Sequence, residues 1–294
     1  MQDVSGTCVS ENSVFAVGIN ESMTANGGTD FTGLLGTLSD DGTWKVNVLP
    51  KPLTPGSCVA LSDKELLVGD NNGYIGYTRN GGASFDKITP TPDGCFVQRM
   101  VQTGPSLVMA FGSCTNSIGE PEMAVWQSTD GGESWKKRPW SFTNHGFSFD
   151  DAAKCSDVLS VAIDGDGYYY ISGDEGQTWN QSMSGLTPQQ GQALTCLTLG
   201  DGAADADATA EGFIYQMGTA GGFMRSLDGG KTTHFLSTLP DDMYAQAMVQ
   251  AVDPRRGGAL VLWSSTSSDT QGGLHLYSSP DNGNTWKKIL VKKS

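Results

Sequence analysis

Ser128-Thr129-Asp130-Gly131-Gly132-Glu133-Ser134-Trp135 returns as Ser172-Gly173-Asp174-Glu175-Gly176-Gln177-Thr178-Trp179 and again as Ser279-Pro280-Asp281-Asn282-Gly283-Asn284-Thr285-Trp286. All three octapeptides fit S-x-D-x-G-x-[ST]-W. Degraded copies lie between and before them. Thr78-Arg79-Asn80-Gly81-Gly82-Ala83-Ser84-Phe85 has Asn for Asp and Phe for Trp. Ser226-Leu227-Asp228-Gly229-Gly230-Lys231-Thr232 is intact until Thr233, with Phe235 two residues on. Ser39-Asp40-Asp41-Gly42-Thr43-Trp44 is compressed. The aromatic positions, 44, 85, 135, 179, about 233 and 286, are 41 to 54 residues apart. That period suits one four-stranded unit per repeat.

The residues around each octapeptide read as strands. Short apolar runs such as Val14–Val17, Leu66–Val68 and Val158–Ile163 have strand length. Gly73–Tyr77, Gly167–Ile171 and Gly273–Tyr277 lead into octapeptides. No segment sustains a 3.6-residue apolar period, so helices are not expected. Each repeat reads as strands A, B, C and D with the octapeptide in the C–D turn. There the hydroxyl and carboxylate can bond nearby backbone groups, and Gly can take φ > 0. Ser128, Asp130, Gly132, Trp135, Ser172, Asp174, Gly176, Trp179, Ser226, Asp228, Gly230, Ser279, Asp281, Gly283 and Trp286 are therefore read as structural residues.

This pattern resembles the Asp-box (BNR-type) repeat of sialidases, sortilin-type receptors, xyloglucanases and the photosystem II assembly propellers of chloroplasts and cyanobacteria. The resemblance implies an all-β chain, a six-bladed β-propeller with Asp-box turns between strands C and D; seven blades are the alternative. The expected blades are residues 1–50, 51–92, 93–142, 143–186, 187–240 and 241–294 of a single domain. The chain starts near a strand A (Gly6–Val9) and ends in a strand D, so the first and last blades are expected to meet by packing alone. In the families it resembles, the boxes lie on the outer rim, away from the ligand. Their aspartates are accordingly not read as catalytic.

Composition narrows the function classes. Glycine is abundant, 39 of 294 residues, as many tight turns require. The formal charge of −14 disfavours phosphate-backbone binding, so no nucleic-acid partner is expected. It also fits poorly with the basic surface that the assembly-factor resemblance implies. No run reaches the ~18 apolar residues of a membrane span. Met1–Glu11 has neither a basic nor an apolar signal region, which leaves two expectations: a secreted or otherwise extracytoplasmic protein whose Met1 replaces a removed leader, or a cytoplasmic one. Asn20-Glu21-Ser22 and Asn180-Gln181-Ser182 are N-glycosylation sequons of the kind chance also supplies. Of the six cysteines, Cys95 and Cys114 are the expected disulfide, at one end of an A–B hairpin. Cys8, Cys58, Cys155 and Cys196 fall on inner strands and are expected as small buried residues, with cross-blade bridges the alternative.

A ligand site is expected on the face formed by B–C and D–A loops, because the boxes occupy the other. Arg138–Lys154 reads as the longest D–A loop. Trp140, Phe142, His145 and Phe147 in it are the binding candidates, with Arg99 and Arg138 available for an acidic group. Loop self-packing is the competing account of those rings. Ile19–Gly33, Gly112–Glu122 and Ser264–Gly273 read as long polar B–C loops. The acidic stretch Gly200–Gly212 lacks ordered ligand spacing and reads as a flexible hairpin tip. No metal and no cofactor is expected.

Sialidase chemistry is disfavoured. It needs three arginines on one carboxylate, whereas Arg79, Arg225, Arg255 and Arg256 of the six arginines belong to the box face, and the Phe-Arg-Ile-Pro signature is missing. Asp150 and Asp151 do not specify a catalytic separation. No catalytic residue is assigned. The expected function is a non-catalytic binding or scaffold propeller for a protein or glycan ligand. The alternative is a glycoside hydrolase or lyase of the same architecture. Averaged particle images of the purified protein test the blade count: six radial densities are expected, and seven would refute it.

Overall fold

Strands β5 (Pro55–Ala60) and β6 (Leu66–Asp70) are buried along their whole length, which requires cover on both faces of their sheet. Side-chain alternation divides that cover. Cys58, Ala60, Leu66 and Val68 pack with Phe15, Val17 and Leu35 of the sheet before. Val59, Leu67, Ile75 and Tyr77 pack with Val97, Met100, Val108, Ala110, Ala124 and Trp126 of the sheet after. A single residue slip would exchange the two sets, so register is specified by two cores at once.

The structure is a computed structural model of residues 1–294. It describes all except 1–2, 11, 40–42, 116–118, 120, 141, 143–148, 156, 164–167, 184–192, 199–210, 217–221, 227–233, 239–244, 252–258, 266–273, 280–284 and 293–294. Among the described residues the strands pair into six four-stranded antiparallel sheets. The chain forms two compact units, Met1–Gly146 and Phe147–Ser294.

The first unit holds three sheets. β1 (Asp3–Val9), β2 (Val14–Met23), β3 (Thr29–Leu38) and β4 (Trp44–Val48) form one. β5, β6, β7 (Tyr74–Thr78) and β8 (Lys87–Pro90) form the next. The third is β9 (Phe96–Gln102), β10 (Val108–Thr115), β11 (Pro121–Ser128) and β12 (Lys136–Arg138). Each is a meander in chain order, and their first strands β1, β5 and β9 are successive neighbours. The second unit repeats the plan with β13 (Phe149–Cys155) to β16 (Asn180–Met183), β17 (Ala193–Thr198) to β20 (His234–Thr238), and β21 (Ala245–Ala251) to β24 (Lys287–Lys292). One 3-10 turn, Pro92–Gly94, is the helical element among the described residues, and none of their helices is long and apolar enough to cross a membrane.

The octapeptide turns are hydrogen-bonded in one way. Ser128 Oγ accepts from Gly132 N–H (2.7 Å) and donates to Asp130 (2.7 Å). Asp130 accepts from Ser134 N–H (2.9 Å) and its hydroxyl (2.6 Å). Ser172, Asp174, Gly176 and Thr178 repeat these bonds. The softened copy keeps them with one reversal: Asn80 Nδ2 donates to Ser84 Oγ (2.7 Å), where the aspartates accept. Gly132 has φ 96°, and a Cβ there would come 2.5 Å from Leu67 of the preceding sheet, so glycine serves both turn and packing. Trp179 is buried, while Phe85 and Trp135 are partly buried against the inter-sheet cores. The turn residues 40–42, 227–233 and 280–284, including Asp228, Gly230, Asp281 and Gly283, lie outside the described residues.

Four expectations are corrected, one for the cysteines and three for loops. Cys8 and Cys58 are not free buried thiols but a disulfide between β1 and β5, with Cα atoms 5.7 Å apart, because the first strands of adjacent sheets run side by side. Cys155 is also disulfide-bonded, and the side chain of Cys196 lies outside the described residues. Cys95 and Cys114 are bonded as expected, Cα–Cα 4.5 Å, across the β9–β10 hairpin. The loop Arg138–Lys154 is shorter than expected: Phe149 to Cys155 is strand β13, Phe149 is buried, and the connection is 139–148. Ile19–Gly33 is mostly paired strand, since β2 and β3 continue to Met23↔Thr29 around a five-residue turn. Gly112–Glu122 likewise continues β10 and β11.

Burial pushes the Asp174 carboxyl up, but bonds from Thr178 and Ser172 more than offset this and hold it at about 2, below its ordinary 3.8. A depressed carboxylate stabilises the fold above the unfolded value and loses that contribution as pH falls through the folded one. Thermal melts should therefore decline between pH 4 and about 2, and Asp174→Asn, a turn that Asn80 shows to be tolerated, should decline less steeply there. Parallel curves would remove Asp174 from the acid transition.

Candidate functional site

At the B–C/D–A end of the first sheet, β3 outruns β4 and the chain turns away at Pro50. Lys51–Pro52 is a cis peptide. The connection returns under the sheet because Gly33 has no side chain: a Cβ there would meet the Leu53 carbonyl and lie 2.9 Å from Pro55 Cδ. Between β3, the end of β4 and this connection lies a pocket of about 410 Å³, lined by Thr29–Gly33, Val48, Leu49 and Lys51–Thr54. That volume falls within the range of roughly 300–1,000 Å³ typical of ligand pockets. Leu49 and Leu53 are buried in its wall, whereas Phe31 (43%) and Val48 (69%) are exposed. Lys51 Nζ and Asp30 pair at 3.6 Å, both solvent-exposed, so the pair contributes little energy.

The connection is anchored from the next sheet. Asp70, fully buried at the end of β6, accepts from the Thr54 N–H and hydroxyl and from Asn72 N–H (2.5 Å). Asn72 Nδ2 in turn donates to Thr54 Oγ1 (2.5 Å). Burial raises the Asp70 carboxyl, and the backbone donors of Thr54 and Asn72 oppose that shift.

The residues singled out from the sequence are not brought together. Arg99 pairs with Phe111, Phe111 with Val125, and Val125 with Arg138. The two arginines thus stand at the ends of one transverse row, three strand spacings or about 14 Å apart. Arg99 Nη1 donates to the Gln98 carbonyl (2.7 Å), and Arg138 Nε to Gln127 Oε1 (3.0 Å), with Nη2 on the same oxygen. They do not form a clamp on one small anion. Trp140 and Phe142 are partly buried and meet edge to face, centroids 5.5 Å apart. His145, Phe147, residues 199–210 of the acidic stretch and residues 266–273 lie outside the described residues.

Sequence reading missed the pocket and its apolar rim, and it missed Met23 (85% exposed) and Phe96 (48%), which stand at the same B–C/D–A end of their sheets. The only available signal was an apolar residue inside a polar loop, Phe31, whose exposure depends on where β4 stops.

No protein-family model matches the chain, and no curated protein sequence matches it. Solved structures do. YCF48 bound to D1 peptide is similar at a TM-score of 0.52 and 14% identity, over 85% of each chain. Trypanosoma rangeli sialidase, in complex with a difluoro-KDN, is similar at 0.63 and 13%, over 95% of this chain and 53% of the sialidase. The GH74 xyloglucanase from Xanthomonas campestris is similar at 0.58 and 14%, over 96% of this chain and 45% of the enzyme. The chain thus spans about half the length of each of these two enzymes.

Asp70→Ala should cost about 2–3 kcal/mol in denaturant unfolding, since it strands the buried donors of Thr54 and Asn72. A loss under about 0.5 kcal/mol would mean that the anchor is dispensable.

Meandering four-stranded antiparallel sheets, packed face to face through their first strands and similar to the sialidase, YCF48 and GH74 propellers, make this chain a β-propeller.

Proposed function

We propose that the chain is a non-catalytic binding propeller that docks a protein partner on its B–C/D–A end. The observation that carries this reading is the pocket beside β3, with Phe31 and Val48 exposed on its rim. Apolar side chains held open on a rigid scaffold are a recurrent mark of interaction surfaces. Trp140 and Phe142, in a connection at the same end of the third sheet, supply a second aromatic element. YCF48 bound to D1 peptide gives a precedent in this fold for a protein ligand. The separation of Arg99 from Arg138 weighs against a sialidase-like site built on that pair.

The reading takes residues 1–294 as one propeller of six blades, with the octapeptide residues in a structural role. It places the protein outside the cytoplasm, because disulfides Cys8–Cys58 and Cys95–Cys114 persist in oxidising compartments. A glycan is the alternative ligand.

Protein and glycan arrays probed with the labelled chain, beside a panel of chromogenic glycosides, separate these readings. Saturable binding to a protein, with no glycoside hydrolysis above the buffer blank, is the expected result. Turnover of a glycoside would overturn it. Trp140→Ala with Phe142→Ala should weaken partner binding by more than about 1 kcal/mol with little change in melting temperature, as interface anchors do. A large drop in melting temperature with unchanged binding would instead assign those rings to loop packing.

A further inference from the structure

β3 pairs with β2 from Phe15↔Thr37 to Met23↔Thr29, but with β4 only from Leu38↔Trp44 to Leu34↔Val48. The last bond on the β4 side is Leu49 N–H to the Gly33 carbonyl, 2.8 Å. Backbone groups in an antiparallel strand alternate sides with period two. Gly33 therefore fixes the direction of Phe31 and Thr29: their N–H and C=O groups face the side on which β4 would continue. The chain has left that place by Pro50, and these groups make no hydrogen bond among the described residues. The space left is the pocket.

We propose that this pocket takes an extended segment of a partner protein, which adds as a short strand to the free edge of β3 at Thr29–Phe31 and lays an apolar side chain against Phe31, Val48, Leu49 and Leu53. The proposal rests on the binding-propeller reading and names its partner chemistry. An unpaired strand edge is a template for another chain, and such strand addition draws affinity from main-chain bonds and specificity from a side-chain pocket. Both are present here within a few residues. Phe31, Val48, Leu49, Pro52 and Leu53 supply the apolar part of a mixed lining, and its charged residues, Asp30 and Lys51, cancel as a pair in a chain of −14. That balance favours an uncharged apolar segment over an acidic or basic one. Three other outer edges carry residues that oppose pairing: Pro90 ends β8, β12 is Lys136-Lys137-Arg138, and β24 carries Lys287, Lys288 and Lys292.

The test selects a random dodecapeptide display library on the immobilised full chain. Enriched peptides are then titrated against the wild type, Phe31→Glu, Val48→Lys, Thr29→Pro, Lys64→Ala and Trp140→Ala. Thr29→Pro removes one edge donor without altering an apolar wall or the β2 ladder. Peptides with alternating apolar residues are expected, bound at least tenfold more weakly by the first three variants and equally by Lys64→Ala, which lies in the β5–β6 turn at the opposite end of its sheet. All variants should keep the wild-type melting temperature. Bound peptide should slow amide exchange at Thr29 and Phe31 at least tenfold. Peptides that depend on Trp140 but not on Phe31, Val48 or Thr29 would overturn the inference and leave the binding reading standing. So would glycan-array binding with no enriched peptide. No binder of either class would overturn both.

Discussion

Face-to-face burial of the sheets is the constraint on which the rest depends. The sheet of β5–β8 has no solvent face over its first strands, so its side chains serve two cores with alternate residues. Such a sheet can vary only where it ends, in the turns and in how far each strand runs past its neighbour. At one end the chain uses a single repeated turn. At the other, strand lengths differ, and the pocket beside β3 results.

The repeated turn is local chemistry, and this is why the sequence reveals it. Ser128, Asp130 and Ser134 satisfy one another within seven residues, so the bonds need only residue type and spacing. The strands before and after were legible for the same reason, from short apolar runs between turn residues. What was hidden depends on register. The stopping point of β4 relative to β3, and the row that keeps Arg99 and Arg138 apart, are set by cross-strand pairing among residues distant in sequence. Met23 and Phe31 looked like loop residues because nothing in their own segment says that the hairpin continues to Thr29.

The anchoring of the pocket shows how the two kinds of information combine. Asp70 is an ordinary turn residue by sequence, bonded to Asn72 two residues on, as aspartates in turns are. Its contact with Thr54 comes from the β5–β6 pairing, which sets Asp70 opposite Pro55 where the connection enters β5. The local turn thus doubles as a fixed point for a neighbouring segment, and the pocket wall is held by a buried carboxylate as well as by apolar contact.

The bond between Cys8 and Cys58 has a topological consequence. It closes a covalent loop that contains β2, β3 and β4 entire, and its ends lie on the first strands of two adjacent sheets. Two copies of the chain cannot trade that first sheet, because the exchanged segment would have to be cut free at a covalent junction. Repeat architectures with interchangeable units are prone to such swapping and misassembly. Here the oxidised chain is bound to its own first sheet.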